Sequence, residues 1–354
     1  MAIKPDIIVE EKKQQQASDR GGLLNNVCLV GAFDTLETEP MLFNELEDAQ
    51  ETLGTDKTYN GCKVLPIIFT SGTLLAVNIT TENEGTRVKT MDTATLTAAL
   101  SKVKGEDFDM LFVAETLTDD AIVIIDKFLD AMEKMKVPAG YINAVNRSSI
   151  DAYLTTASKA GKHTYGILAQ SFTVNGESYD LLESAAYYAS VIDNLHAGNS
   201  MTMKKIPGVT GVTPELTFEF NEATEAPISD GAKMLAAGLT TVTARSRRSE
   251  DFIVVNSEQP NGLDLYVNRV RDYVIKEMAL HKFLGDRNRN PTHNAVIQEL
   301  DRVKYKCIDT MDLLKDIVYT VEKLDAKTVK VTIVSMNFDG IITRIYVSYT
   351  IKVE

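Results

Sequence analysis

The sequence predicts an α/β domain on a largely parallel sheet, followed by a C-terminal α+β domain of two helices on a small antiparallel sheet. Extended strand arms are expected at both ends. Three observations lead there. Between about residues 22 and 200, short apolar runs alternate with amphipathic stretches of helical length, which is the pattern of successive βα units. Beyond residue 259, two long stretches of 3.6-residue period precede strands joined by short polar turns. The final stretch, "IITRIYVSYTIKVE", alternates strictly: Ile345, Val347, Tyr349, Ile351 and Val353 share one face, and Arg344, Tyr346, Ser348, Thr350 and Lys352 the other.

The elements follow in order. "IKPDIIVE" places Ile3, Pro5, Ile7 and Val9 on one side of a short strand, with Pro5 tolerated near a strand start or edge. "EKKQQQASDRGG" is a polar tether closed by a glycine pair, so residues 1–21 read as an arm and linker. Residues 22–200 form the α/β domain. "NVCLVGAF" is its first buried strand; "EPMLFNELEDAQETLG" is helical from about Asn44 and stopped by Gly54. "KVLPIIFTSG" is an apolar run interrupted by Pro66, and "TLLAVNITT" is a strand. "TLTAALSKVKG" is a short helix with Gly105 as its cap. Strands at "FDMLFVAE", "PAGYINAV" and "TYGILAQSF" then alternate with helices at "DDAIVIIDKFLDAMEKMK", "SIDAYLTTASKAGK" and "YDLLESAAYYASVIDNLHAG", the last stopped by Gly198.

Residues 201–258 connect. They read as loops with a strand at "ELTFEF", a helix at "SDGAKMLAAGL" and a hairpin-like strand pair at "TTVTARSRRSEDFIVVNSEQPNG". In residues 259–340 the first helix carries the stripe Val267, Val270, Val274, Met278. The second opens with Pro291 after Asn290 and carries Val296, Leu300, Val303, Cys307. Strands at "DIVYTVEKL" and "TVKVTIVSM" lead, through the Asp-Gly of "NFDG", into the terminal strand of residues 341–354. A strand at a chain end is exposed unless it is paired, so both arms are strands in search of a partner.

Composition narrows the function. The 354 residues carry 37 basic and 50 acidic side chains, a net charge of −13, against the basic surface that duplex nucleic acid requires. The three cysteines, Cys28, Cys62 and Cys307, are odd in number and far apart, so reduced core thiols are expected, without disulfides. The N-terminus does not read as a signal peptide, and no apolar run reaches the ~18 residues of a membrane span.

Searches for chemistry fail in detail. "ASKAGKHT" lacks the first glycine of a phosphate-binding loop, since Thr156 stands there, and His163 follows Lys162. No G-x-G-x-x-G follows "NVCLVGAF", and "VNGESYDL" is no nucleophile elbow. His163, His196, His281 and His293 show no metal spacing. The expectation is therefore no catalysis, no cofactor and no metal. The competing reading is a nucleotide-dependent α/β enzyme, which would need the missing glycine-rich turn; a monomeric ligand-binding protein would leave both terminal strands unexplained. Two basic clusters stand out: Arg245, Arg247 and Arg248 in "ARSRRSE", and Arg287 and Arg289 in "GDRNRNP". As a pair they suit an acidic partner, adding orientation more than affinity.

Taken in order, these segments resemble the contractile tail sheath proteins of myovirus phages and of phage-tail-like (R-type) bacteriocins. "KPDIIVEE" is similar to the family's opening strand, with Asp6 where a Gly is usual. "NNVCLVGAFD", then "EPMLFNELEDAQETLG", "VLPIIFTSG" and "LLAVNI", keep the family's order. "LYVNRVRDYVIKEM", "FLGDRNRN" and the final strand pair carry the resemblance to the end. The chain is short for the family, so large outer insertions should be missing. The resemblance implies a structural subunit that polymerises as six-fold rings or a six-start helix around an inner tail tube protein. It also implies contacts to baseplate and tail terminator proteins, with no direct nucleic acid and no membrane insertion. Assembly would occur in the bacterial host cytoplasm, and contraction would drive the tube through a cell envelope. Ile3, Ile7, Val9, Ile345, Val347, Tyr349 and Ile351 become the residues of inter-subunit strand exchange, and the five arginines become tube- or neighbour-facing.

Overall fold

A computed structural model describes residues 26–221, 223–246, 251–279, 290–325 and 328–340. Both terminal arms lie outside the described residues, as do Arg247, Arg248, Arg287 and Arg289. The architecture is mixed α/β: a six-stranded, mostly parallel sheet, with small antiparallel sheets of two or three strands and helices around it.

The sheet forms first along the chain. β1 (Asn26–Gly31) has Val27, Cys28, Leu29 and Val30 all buried. A run apolar on both faces suits only a central strand covered by helices on each side. β2 (Met41–Phe43) is followed by α1 (Leu46–Leu53), which Gly54 ends at φ 90°, a conformation that favours glycine. The apolar run around Pro66 becomes helix α2 (Asn60–Ile68). Proline removes one donor there, while Cys62, Val64, Leu65 and Ile68 are all buried, so packing overrides local preference. Gly61 lets α2 approach the exit of β1: a Cβ there would meet the Ala32 carbonyl oxygen at 2.5 Å.

β3 (Thr73–Asn78) pairs in parallel with β1, from Asn26 opposite Thr73 to Gly31 opposite Asn78. The hairpin β4 (Thr81–Asn83) and β5 (Thr86–Val88) was not anticipated. Arg87 pairs with Asp34 and Lys89 lies 3.4 Å from the Tyr59 ring centroid, tying the hairpin to the body. Then come α3 (Thr93–Lys102), β6 (Met110–Val113), α4 (Asp119–Lys134), β7 (Gly140–Ala144), α5 (Ile150–Lys159) and β8 (Thr164–Leu168). The spatial order is β2-β3-β1-β6-β7-β8, with β2 antiparallel at one edge.

Four local expectations need correction. Helix α3 is capped at Val103, and Gly105 falls two residues beyond, at φ 92°. The "TYGILAQSF" strand breaks after Leu168: β9 (Ser171–Val174) leaves the main sheet for β10 (Glu177–Ser178) and β11 (Val209–Thr213). Gln170 fixes this corner, its amide donating to the carbonyls of Pro214 and Val242 and accepting from the Val242 N–H at 2.8 Å. Helix α6 (Leu181–Asp193) stops at Asn194, short of Gly198, because the Asn194 amide bonds back to the Ser190 carbonyl at 2.8 Å. "ELTFEF" is not a strand. Its backbone is engaged locally instead: the Glu219 N–H donates to Ser229 Oγ and the Ile228 N–H to the Glu219 carbonyl.

The remaining elements are α7 (Asp230–Ala236), the antiparallel pair β12 (Val242–Ala244) and β13 (Phe252–Val254), α8 (Leu265–Met278) and α9 (Asn290–Tyr305). A π-helical turn at Lys306–Thr310 leads into the hairpin of β14 (Asp316–Lys323) and β15 (Val329–Asn337). Val270, Val274 and Met278 of α8 meet Val296, Leu300 and Val303 of α9 and Cys307 of the π-helical turn in a second hydrophobic cluster, closed by Ile317. Val267 is only half-buried at its margin.

Leu300 is fully buried there, whereas Val334 on β15 is 59% exposed. Truncating Leu300→Ala is expected to lower stability by about 2–5 kcal/mol, and Val334→Thr to change it by less than about 0.5 kcal/mol. Equilibrium denaturation of the two variants checks both.

Candidate assembly surface

Strand order reverses about β1, and in such sheets a ligand would bind beyond the carboxyl ends of the strands. Here that crevice is filled by the chain itself. The Phe33 N–H donates to Asn78 Oδ1 at 3.0 Å and to Thr80 Oγ1 at 3.1 Å, and the Asn78 amide donates to the carbonyls of Thr35 and Glu37. A cleft of 310 Å³ next to β6 is lined by Asp92, Glu115 and Asp120. The side chains of Asp92 and Thr118 cap the helix N-termini that open onto it. That is poor ground for phosphate.

Lys162 is also engaged. Its ammonium pairs with Glu133 and, at 3.3 Å, with Asp130, both on α4. The buried His163 ring joins them, Nε2 standing 3.1 Å from Asp130 Oδ1. Asp130, Glu133 and His163 thus form a metal-like trio that linear spacing had not revealed. Lys162 already supplies the positive charge between the carboxylates. Burial depresses the His163 imidazole below its usual pKa. One helical turn along α4, Asp126 accepts from the Gly161 N–H at 2.7 Å, and burial pushes its carboxyl up to about 7.

The hairpin β14–β15 offers a different kind of site. Ile317 is buried, and Tyr319, Val321, Val331, Ile333 and Met336 pack on the helices α8 and α9. A register irregularity between Val318 and Tyr319 adds twist. Among the described residues neither outer edge pairs with a third strand. Two strands alone are marginal, and open edges invite another strand.

Helix α8 fastens this hairpin and its helices to the sheet by a charged face. Arg269 is 1% exposed, and its Nη2 donates to the Leu195 carbonyl at 2.9 Å. Around it lie Tyr165, Asp193, Asp109 and Tyr188. Burial raises the Asp193 carboxyl well above its ordinary range, against the pull of Arg269. Tyr165 donates to Asp272 at 2.9 Å, and Arg271 pairs with Asp272 at 2.7 Å. Lys276 donates at 2.7 Å to Asp107, Asp109 and the Phe108 carbonyl. This face was missed in the sequence, where α8 was assigned a single apolar stripe. The signal was present: Arg269, Asp272 and Lys276 recur at i, i+3 and i+7, a second stripe at helical spacing.

Of the residues singled out in sequence, Arg245 is described. It is exposed at the end of β12, its N–H donating to the Asp251 carbonyl at 2.9 Å and its guanidinium 3.5 Å from the Met203 carbonyl. Ile3, Ile7, Val9, Ile345, Val347, Tyr349, Ile351, Arg247, Arg248, Arg287 and Arg289 lie outside the described residues. No helix among the described residues is long and apolar enough to cross a membrane.

No protein-family model and no curated protein matches this chain. Solved structures do. The sheath tail protein of Desulfitobacterium hafniense superposes with a TM-score of 0.63 at 11% identity, over 94% of this chain and 99% of its own. The sheath tail protein Lin1278 of Listeria innocua gives 0.58 at 14% identity, over 90% and 97%. The anti-feeding prophage helical sheath in its contracted state gives 0.63 at 13% identity, over 99% of both chains. At such identities the likeness is one of fold, and it runs nearly the whole length of each chain.

Asp126 yields a pH dependence. A carboxyl of pKa about 7 in the fold binds more protons than the unfolded chain, whose reference value is near 3.9. Its contribution is therefore fully present below about pH 4 and is lost as pH rises towards 7. Asp126→Asn keeps an acceptor for Gly161 and removes the titration. Its stability relative to the parent is expected to rise across that window by up to about 1.4 kcal/mol per pH unit, measured by denaturation at pH 4, 5.5 and 7.

Proposed function

We propose that this chain is a structural subunit of a contractile tail sheath. It polymerises around an inner tube and contracts to drive that tube through a cell envelope, without catalysing a reaction. The observation that carries the reading is the end-to-end likeness of fold to a contracted helical sheath. The hairpin β14–β15, with edges that no described strand covers, supports it.

In this reading the terminal arms join the bodies. Residues 341–354 make a strand of roughly 45 Å at about 3.3 Å per residue, long enough to leave their own body. Residues 1–20 reach on the order of 65 Å when extended. Ile345, Val347, Tyr349 and Ile351 supply one apolar face, and Ile3, Ile7 and Val9 its counterpart. Each backbone hydrogen bond contributes only about 0.5–1.5 kcal/mol net, so a junction holds by its number of bonds and can persist while bodies rotate. Partners are further copies in six-fold rings or a six-start helix, an inner tube protein, and baseplate and terminator proteins. The particle assembles in the bacterial cytoplasm. Arg245, Arg247, Arg248, Arg287 and Arg289 face the tube or a neighbouring subunit.

Purified protein is expected to form long hollow tubes in negative stain. Deleting residues 1–20, or the strand from Ile345 onward, should leave a folded monomer by circular dichroism and sedimentation, and abolish tubes. Val347→Pro should act like the second deletion, because proline removes a ladder donor. Tubes from both truncated proteins would refute strand exchange.

A further inference from the structure

A groove of 630 Å³ runs between α6 and the loop that follows it. Tyr187, Val191 and Leu195, at successive four-residue steps, give one apolar wall, and Met201 and Pro207 face them. Lys204 and Lys205 stand exposed at its rim. Lys205 pairs with Asp251 at 2.5 Å; Lys204 has no carboxylate within 4.0 Å among the described residues. Arg245 reaches the Met203 carbonyl beside them, so the rim is basic in a chain of net charge −13.

The other end of the groove is formed by Thr70 and Asn194, which hydrogen-bond to each other at 2.8 Å. Ser71 also bonds to Asn194, at 2.9 Å. Two residues on, Thr73 bonds to Asn26 at 2.7 Å. Asn26 is the first described residue, so the chain enters the fold beside the groove's end. Upstream, residues 6–11 read "DIIVEE": three consecutive apolar side chains flanked by one acid and followed by two more. In an extended segment Ile7 and Val9 share a face, leaving Glu10 on the other.

We propose that in the unassembled subunit residues 6–11 dock into this groove of their own chain, Ile7 and Val9 against the α6 wall and Glu10 or Glu11 at Lys204. Residues 12–25 span up to about 45 Å, ample slack for the return. A linker of this length supplies the segment at an effective concentration on the order of 1 mM, so a free-segment dissociation constant of about 0.1 mM gives about nine-tenths occupancy. Weak chemistry therefore suffices, and the docked segment stays releasable. The docking does not rest on the sheath reading. If that reading holds, docking withholds Ile7 and Val9 from strand exchange until a neighbour competes for them.

The test uses the full chain with Val9→Cys and Val191→Cys in a glutathione redox buffer at low protein concentration. Cys28, Cys62 and Cys307 are buried and remain as background. The pair is expected to form an intramolecular disulfide at least tenfold in excess of a control pairing Val9→Cys with Val334→Cys. Lys204→Glu should reduce that excess several-fold, and adding Glu10→Lys with Glu11→Lys should restore it. Equal yields in the two pairs would overturn the proposal. So would a disulfide between chains, which would assign the groove to a second copy's segment. Should the cysteine variants misfold, hydrogen exchange on chains without introduced cysteines decides: relative to the parent, Ile7→Asp with Val9→Asp should speed exchange in residues 199–207 several-fold, and unchanged exchange overturns the docking. Tube formation is scored on the parent chain without the introduced cysteines, so tubes from the parent with no excess disulfide in the Val9–Val191 pair overturn the docking alone, and the disulfide with no tubes from the parent overturns the sheath reading alone.

Discussion

The charged face of α8 against the α/β body is the constraint on which the rest of the molecule's arrangement depends. Arg269 and Asp272 are each at most 2% exposed, and Lys276 is met by three oxygens. Buried charges cost several kcal/mol each unless they are met by partners in the right geometry. Such a joint adds little net stability, but it tolerates few alternative orientations. An apolar interface could slide; a guanidinium bonded to the Leu195 carbonyl and an ammonium held by Asp107 and Asp109 cannot do so without stranding charge. The hairpin β14–β15 rides on α8 and α9, so its position relative to the main sheet follows from this joint.

A body held in this way suits a mechanical role. If subunits must rotate against one another, compliance belongs in tethers and inter-subunit junctions while each body keeps its shape. The main sheet agrees with that division. The crevice beyond β1, where open α/β sheets commonly place a ligand, holds Asn78 and Thr80 bonded to the Phe33 backbone. The polar groups at this crevice instead close the fold on itself.

The fold was largely legible because its strongest signals are local. The apolar run of β1 and the stripes of α8 and α9 all act over a few residues. Errors arose where distant partners decide. "ELTFEF" alternates like a strand, yet Ser229 and Ile228 claim its backbone. "TYGILAQSF" reads as one strand, yet Gln170 bonds to residues on two other segments and turns the chain out of the sheet. The run around Pro66 is helical because its burial outweighs a missing donor. The candidate site was less legible. The terminal alternation and the arginine clusters were visible in sequence, but the load on Arg269, Asp272 and Lys276 was hidden. Charged residues on an amphipathic helix are usually solvated, and only the tertiary neighbours of α8 show otherwise.

The most direct test of the central claim is a cryo-electron microscopy map of the assembled protein at side-chain resolution. The account predicts a tubular assembly in which a strand from another subunit pairs with a free edge of the β14–β15 hairpin, with α8 seated on the α/β body as in the isolated chain. Tubes in which every hairpin edge is covered by the subunit's own residues, with no chain crossing between neighbours, would contradict it.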